Sequence, residues 1–279
     1  MVESSYYRVP SNGKKGKTPS VLTYHKTKGY MSQEGVLASI KEVLSHEFID
    51  YGYRLMTSYL KKDGYLINHK KLYRIMKEAG MLKLEHRINR SGSGRKFVKF
   101  RKVTTTRPME CLEMDIKMVW IPSMGKNAYL LSVIDVHTRR ILKDYFSFTI
   151  KQKHVINLLS SMFDQYQHSE NVVIRSDNGS QFIAKSVREY LSFIGVEQEF
   201  THVATPEENA HVEAYHGILK KEVFQRFEYR TFGQIEQILK RFVVFYNNTR
   251  HHGLLGRITP MEKWNHDSKL IKLKKNKAA

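Results

Sequence analysis

The chain has 279 residues, enough for one sizeable core and a smaller unit, because domains commonly span about 100–200 residues. Lys and Arg outnumber Asp and Glu by 47 to 27, and the formal net charge of +20 indicates a polyanionic partner such as nucleic acid. No stretch approaches the roughly 18 apolar residues of a membrane-spanning helix, and residues 1–5 lack a signal-peptide pattern. We therefore expect a cytoplasmic protein with no membrane partner.

Cysteine usage limits how the chain could hold a metal ion. Cys111 is the single cysteine, which excludes an internal disulfide framework and a zinc site built from several cysteines. Any bound metal must therefore be held by oxygen ligands.

Basic segments flank and separate the predicted domains. Residues 1–30 are rich in Lys, Ser, Gly and Thr and predict a flexible basic arm without a fold. Residues 83–108, which include Arg95 and Lys96, predict a basic linker that either follows a phosphate backbone or serves as a soluble tether. Residues 266–279 predict a basic C-terminal tail.

Residues 31–82 predict a small all-α domain. Apolar residues recur at helical spacing over 33–46, with Ser32 available as the N-cap, and a second helix is predicted over 53–61. Asn68 can cap a third helix. Three short helices of this kind are typical of a helix-turn-helix DNA-binding domain.

The third helix carries basic residues away from its apolar stripe, namely Lys70, Lys71 and Arg74. In a helix-turn-helix domain such a helix enters the major groove. A small bundle with a solvated lysine face is the alternative, since charged runs usually lie at the surface.

Residues 109–265 predict an α/β core. Three strand-like runs at 111–120, 128–136 and 140–148 are separated by turn residues, which indicates an antiparallel meander. Helix and strand patterns then alternate, and a long helix is predicted from residue 207. A meander followed by alternating elements favours a mixed sheet with helices packed on it.

Three carboxylates stand out as metal-ligand candidates. Asp115 interrupts an apolar strand, Asp177 follows the buried strand 172–174, and Glu213 lies on a helix two turns before Lys220 and Lys221. Mg²⁺ prefers carboxylate oxygens, and two ions about 3.5–4 Å apart can activate an attacking oxygen and stabilise a leaving one.

Each carboxylate also has an ordinary structural explanation when taken alone. Asp115 could be solvated at a strand edge, and Asp177-Asn178-Gly179 is common turn chemistry. Glu213 with the two lysines could form a charged helix stripe.

Three motifs carry a resemblance to a known family, the retroviral-integrase-like DDE transposases. They are SDNGSQF at 176–182, PEENAHVE at 206–213 and YNNTRHHGL at 246–254, and 35 residues separate Asp177 from Glu213. The chain resembles in particular the second reading-frame product of two-frame bacterial insertion sequences. One departure is Lys117, where the family commonly has Thr or another small residue.

The resemblance implies a ribonuclease-H-like integrase core with a five-stranded mixed sheet flanked by helices. Two Mg²⁺ ions, for which Mn²⁺ can substitute, would be held with Asp115 bridging them and with Asp177 and Glu213 each binding one. It also implies a set of DNA-contacting residues in and after the glutamate helix: Asn209, His211, His216, Lys220, Lys221 and Arg250.

We therefore expect a DNA transposase that cuts transposon terminal inverted repeats and joins the 3′-OH to target DNA in the bacterial cytoplasm, at the nucleoid. Paired ends imply a homo-oligomer on DNA, and the resemblance implies a first reading-frame partner or a frameshift fusion. Two alternatives are a nuclease of the same fold that never joins DNA and a non-enzymatic DNA-binding regulator.

Overall fold

A computed structural model describes residues 20–82, 104–166, 171–202 and 206–268. The chain divides into two compact units, the first formed by residues 1–46 and 51–85 and the second by residues 47–50 and 86–279. The predicted arm up to residue 19, Arg95 and Lys96 of the predicted linker, and the predicted tail from residue 269 lie outside the described residues. Within the described ranges, no helix has the length and apolar content needed to span a membrane.

Unit 1 contains the three predicted helices, α1 (Gln33–Leu44), α2 (Tyr53–Asp63) and α3 (His69–Glu78). The Ser32 side chain accepts a hydrogen bond from Gly35 N, and the Asn68 side chain accepts one from Lys71 N. Both side chains thus satisfy backbone donors at a helix start, as the sequence predicted. The helices bury one apolar face each, formed by Val36, Ile40, Met56, Leu60, Leu72, Ile75 and Met76.

Unit 1 is not all-α, because three short strands accompany its helices. Strand β1 (Thr23–His25) pairs antiparallel with β2 (Gly29–Met31) and with β3 (Tyr65–Leu66). The prediction of an unfolded arm up to residue 30 is therefore wrong for residues 23–30. The β1–β3 pairing joins residues about 40 positions apart in sequence, and no local sequence pattern reveals such a pairing.

The β1–β2 turn is stabilised by a buried histidine. The His25 ring accepts hydrogen bonds at Nδ1 from Thr27 N (3.2 Å) and Lys28 N (3.1 Å). Gly29 adopts φ +73°, a left-handed conformation that suits glycine. These interactions fold a polar segment whose composition alone indicated disorder.

Unit 2 is built on a five-stranded mixed sheet, as predicted. Its strands are β4 (Cys111–Ile121), β5 (Lys126–Asp135), β6 (Ile141–Ser147), β7 (Val172–Ser176) and β8 (Val196–Phe200). The spatial order is β6-β5-β4-β7-β8, in which β4, β5 and β6 form the antiparallel meander and β7 and β8 run parallel to β4.

Helices cover both faces of this sheet. They are α4 (Gln152–Gln165), α5 (Ser180–Ile183), α6 (Lys185–Phe193), α7 (Ala210–Leu219) and α8 (Phe232–Asn248). One apolar cluster joins α4 and α6 to strand residues such as Leu112 and Met114, and a second joins α7 and α8 to Leu130 and Ile134. The central strand β4 is therefore buried on both sides over much of its length.

The long helix predicted from residue 207 is interrupted. A 3₁₀ turn at Pro206–Asn209 precedes α7, and a π-helical turn at Lys220–Phe224 follows it. The apolar spacing did not reveal these changes. A 3₁₀ or π turn differs from an α turn by one residue in each backbone hydrogen bond, and this difference leaves the composition unchanged.

The predicted boundary at residue 265 is also wrong. A final helix, α9, covers residues 260–268 of the described chain. Asp267 on it is 8% exposed and accepts hydrogen bonds from His137 Nε2 (2.6 Å) and Lys263 Nζ (2.8 Å). These contacts join residues 266–268 to the core, so they are not part of a tail.

Candidate active site

The first two candidate carboxylates lie on one strand, β4, and directly after its neighbour, β7. The parallel pairing of β4 and β7 sets Leu112 opposite Ile174 and Glu113 opposite Arg175. The ladder ends at this second pair, and Asp115 lies two residues further along β4, while Asp177 lies two residues beyond Arg175 and directly follows β7. Each candidate aspartate is thus two residues from a pair of adjacent strand residues that are 62 positions apart in sequence.

Asp177 begins a tight turn at the carboxyl end of β7. Its Oδ1 accepts a hydrogen bond from Gly179 N (3.0 Å), and Asn178 Nδ2 donates to Thr201 O (3.0 Å) at the end of β8. A Cβ on residue 179 would lie 3.0 Å from Asp177 Oδ1, so glycine permits this close approach. The turn leaves the Asp177 side chain exposed to solvent.

Glu213 lies on α7 and is influenced by the strand carboxylates. Partial burial raises the pKa of Glu213, and the negative charges of Asp115 and Glu113 raise it further. Glu213 thus lies within the electrostatic influence of Asp115 and Glu113 on β4. The negative potential at Glu213 favours a bound cation.

Helix α7 is attached to β4 by Glu113, a residue that the sequence did not single out. Glu113 is fully buried, and its Oε2 accepts hydrogen bonds from His211 N (2.8 Å) and Val212 N (2.9 Å). His211 Nδ1 lies 2.5 Å from Glu113 Oε1. A carboxylate thus binds the free amides and positive dipole end at the start of α7. The available signal was its position on the same strand face as Asp115.

His216 connects Asp115 to the next strand. It is 4% exposed, with Nδ1 3.1 Å from Asp115 Oδ2 and Nε2 3.4 Å from Ser132 Oγ. With the Nδ1 proton donated to the carboxylate, Nε2 is the acceptor for the Ser132 hydroxyl. Ser132 also pairs with Asp115 in the β4–β5 register. His216 therefore holds the orientation of Asp115 from inside the protein.

The segment before α7 is fixed by a buried arginine. Arg175 donates to Glu199 Oε2 from Nε (3.0 Å) and Nη2 (2.6 Å), and from Nη1 to Glu208 O (2.8 Å). Asn209 Nδ2 donates to Met114 O (3.3 Å). The 3₁₀ turn is therefore bonded to both β4 and β7, which bear the candidate aspartates.

The described residues contain no group of three His, Cys, Asp or Glu side chains arranged as a metal-binding cluster. Two of the candidate carboxylates accept hydrogen bonds from protein groups, Asp115 from His216 and Asp177 from Gly179. The donor set nevertheless suits a hard divalent cation, since carboxylate oxygens lie on β4, after β7 and on α7.

The predicted DNA-contacting residues of unit 2 fall into two groups. Lys220 and Lys221 are exposed at the end of α7. The others are turned inward: Asn209, His211 and His216 contact β4 or β5 as described above, and Arg250 is bonded to Glu222. The two lysines directly follow the helix that carries Glu213, whereas Arg250 is buried against Glu222.

In unit 1, the predicted DNA-contacting residues lie on α3. Lys70 is exposed. Lys71 Nζ donates to Leu22 O (2.5 Å), and Arg74 Nη2 lies 3.5 Å from Ser20 O. Lys71 and Arg74 thus contact the chain that precedes β1, a role that the sequence did not predict.

Comparisons with known families agree with this architecture. Residues 105–206 match one integrase core domain family and residues 194–260 match a second family of the same description. Residues 32–87 match the HTH-like domain family.

Relatives extend over most of the chain. The protein InsK of insertion sequence element IS150 from Escherichia coli is 28% identical over 83% of this chain and 85% of its own length. The transposase for insertion sequence element IS904 from Lactococcus lactis is 25% identical over 86% of this chain and 98% of its own. Among solved structures, the simian T-cell lymphotropic virus intasome gives a TM-score of 0.48 at 12% identity, covering 78% of this chain and 69% of that chain.

Two family models thus recognise an integrase core domain between residues 105 and 260. Together with the HTH-like domain and the insertion-sequence relatives, this makes the chain a DNA transposase, an enzyme of the polynucleotidyl transferase type. The matches favour neither the plain nuclease nor the non-enzymatic regulator.

Proposed function

We propose that this transposase cuts the ends of its element and joins the freed 3′-OH to target DNA at a site formed by Asp115, Asp177 and Glu213. The observation that carries the proposal is the parallel β4–β7 pairing, whose last pair, Glu113 opposite Arg175, lies two residues before Asp115 on one strand and two residues before Asp177 on the other segment. The raised pKa of Glu213, to which the charge of Asp115 contributes, supports adding the third carboxylate.

Two Mg²⁺ ions, or Mn²⁺ in their place, fit this donor set. Asp115, Asp177 and Glu213 would be the residues that hold the ions. Bound ions of this kind polarise the scissile phosphate and neutralise charge that develops on its oxygens. Glu113 and His216 are proposed to hold α7 and Asp115 in place, so that little reorganisation is needed when the carboxylates bind metal.

The reaction consists of two in-line displacements at phosphorus. In the first, water adds to the phosphorus at the element end, and the bond to the 3′ oxygen breaks, which leaves a free 3′-OH. In the second, this 3′-OH adds to a phosphorus of the target strand, and the target's own 3′ oxygen leaves. The protein contributes mainly by holding both DNA segments in line.

Exposed cations are proposed to hold the DNA. Lys220 and Lys221 lie on the helix of Glu213 and are suited to phosphates of the element end. In unit 1, α3 with Lys70 is proposed to bind duplex DNA, as an HTH-like domain would. Two element ends require at least two protomers, so we propose a homo-oligomer on DNA. A first reading-frame protein or frameshift fusion is proposed as a further partner.

Replacing Asp177 by Asn tests the catalytic assignment. Because the amide is a poorer and uncharged metal ligand, Mg²⁺-dependent nicking of a duplex that carries the element end should fall by about 10³-fold or more, equivalent to roughly 4 kcal/mol. Binding of the same duplex, measured by fluorescence anisotropy, should change by less than about threefold.

The matched control is Asp164→Asn, at an exposed carboxylate of α4, which should nick DNA like the wild type. Wild-type nicking by the Asp177 variant would overturn the assignment. A pre-cut end incubated with supercoiled plasmid and Mg²⁺ should yield joined product, whereas a nuclease without strand transfer would yield none.

A further inference from the structure

A π-helical turn directly follows α7 and contains two exposed lysines and two buried residues. It covers Lys220–Phe224, and Gln225 N donates to Lys220 O (3.0 Å), five residues back. Lys220 and Lys221 are exposed, whereas Glu222 and Val223 are buried. Turns of this type are rare and occur frequently at functional sites.

The turn begins at Lys220, which shares a side of the helix with Glu213, whereas Lys221 lies about a quarter of a turn further round. At about 100° per residue, Lys220 lies seven residues on from Glu213 on nearly the same side, about 10 Å along the axis. Glu222, two residues further, points to the opposite side. The orientation of the lysines is therefore coupled to what holds Glu222.

Arg250 holds Glu222 with a two-pronged contact. Its Nη2 donates to Oε1 (2.8 Å), and its Nε lies 3.0 Å from Oε2 and 3.2 Å from Oε1. The side chains of Arg250 and Glu222 are 11% and 8% exposed. Arg250 follows α8 and is itself fixed by its N–H, which donates to Phe245 O (3.0 Å).

A buried ion pair of this kind fixes the orientation of its side chains more than it stabilises the fold. Removing two charges from water offsets most of their attraction, so an apolar pair of similar volume would often stabilise the fold as well. The planar fork of arginine, in contrast, fixes the direction of its partner carboxylate. The pair is therefore better explained by a need for one orientation of the turn.

We propose that Glu222 and Arg250 are positioning residues for the element end. By fixing the π-helical turn from its buried side, the pair directs the amines of Lys220 and Lys221 toward phosphates next to Glu213. Arg250 thus acts through Glu222 and the lysines, in place of a direct DNA contact. This inference rests on the proposed function, in which these lysines bind DNA.

Neutralising Glu222 gives a test in which two explanations predict opposite signs. Glu222→Gln removes a negative charge from a basic protein, so charge alone predicts tighter DNA binding. Loss of orientation predicts weaker binding, and we expect the affinity for a duplex carrying the element end to fall about 5–10-fold at fixed salt, as for the loss of one to two phosphate contacts. Unchanged or tighter binding would overturn the proposal.

Two companion variants address folding and charge. Glu47→Gln opens an exposed pair, in which Arg241 Nη2 lies 2.7 Å from Glu47 Oε1, and should leave the affinity within about twofold. Arg250→Lys keeps the charge but loses the fork, and should weaken binding as Glu222→Gln does. Wild-type affinity of a folded Arg250→Lys protein, verified by circular dichroism, would contradict the proposal even if Glu222→Gln fails to fold.

Coupling to the lysines separates positioning from a general structural role. In a Lys220→Ala, Lys221→Ala background, Glu222→Gln and Arg250→Lys should cause no further loss of affinity, since the groups that they orient are gone. An undiminished additional loss would mean that the pair acts elsewhere. If the double lysine variant itself binds like wild type, the DNA contact in the proposed function fails, and this inference fails with it.

Discussion

A carboxylate on β6 should make the stability of unit 2 depend on pH. Burial raises the pKa of Asp144 to about 6, although its own backbone N–H and the charges of Lys143 and Lys240 lower it. In the unfolded chain an aspartate has a pKa of about 3.9. The folded protein therefore binds the proton more tightly, and stability decreases as the pH rises from about 4 to about 6 and stays lower above it.

Asp144→Asn should remove this dependence. Between pH 5 and pH 8 the unfolding free energy of the variant should gain about 1 kcal/mol relative to the wild type. Urea denaturation followed by tryptophan fluorescence measures the change, because Trp120 and Trp264, the two tryptophans of the chain, both belong to unit 2. Asp164→Asn, on the surface of α4, is the control and should follow the wild type. Parallel curves for Asp144→Asn and wild type would show that Asp144 ionises normally.

At the scale of single residues, chemistry that depends on neighbouring sequence was predictable and chemistry that depends on distant partners was not. Asp177 was singled out because a charged residue directly follows a buried strand and begins an Asn-Gly turn, and the structure confirms that local setting. The role of Glu113 depends on amides of His211 and Val212, almost 100 residues away. Arg250 was assigned to DNA from the family resemblance, and its contact with Glu222, 28 positions away, could not be identified from spacing.

At the scale of elements, Glu113 should determine how firmly α7 is held on β4. Glu113→Gln leaves one oxygen to accept from the amides of His211 and Val212, but it removes the negative charge and turns an N–H₂ group toward His211 Nδ1. Leaving a buried donor unsatisfied and losing a charged acceptor should cost about 2–4 kcal/mol of unfolding free energy. Mg²⁺-dependent nicking should fall as well, because α7 carries Glu213.

Denaturation monitored by tryptophan fluorescence, together with the nicking assay, tests this prediction. Glu236→Gln is the matched control, since Glu236 forms an exposed pair with Lys240 within α8 and its loss should cost less than about 0.5 kcal/mol. A Glu113→Gln protein with wild-type stability would show that the cap does not hold α7.

Element prediction succeeded where the signals lie within about ten residues. The start of α1 and the start of α3 were marked by Ser32 and Asn68, and the core meander was marked by turn residues between strand-like runs. The β1–β2 hairpin, although local, was missed because the polar composition of the segment indicated disorder and because the strand that pairs with β1 on its other side, β3, lies beyond two helices. The π-helical turn was missed because it changes hydrogen bonding without changing the apolar pattern.

For the whole molecule, the net charge of +20 should dominate binding to DNA. Each phosphate that a Lys or Arg contacts releases condensed counterions, so the affinity falls steeply as salt rises. If some 6–10 phosphates are contacted, the affinity should drop roughly 10³–10⁵-fold between about 50 and 200 mM salt. This loss should be similar for end and shuffled duplexes, because phosphate contacts carry no base sequence information.

The slope of log affinity against log salt concentration also reports how many phosphate contacts individual lysines make. Removing both Lys220 and Lys221 should reduce this slope by about two, because each phosphate contact contributes close to one. Lys240→Ala, at a lysine paired with Glu236 on α8, should leave the slope unchanged. Fluorescence anisotropy titrations of the full chain at four or five salt concentrations give the slopes directly. A shallow slope in the wild type would mean that the basic residues of this protein contact few DNA phosphates. An unaltered slope in the double lysine variant would mean that Lys220 and Lys221 do not contact phosphates at the proposed site.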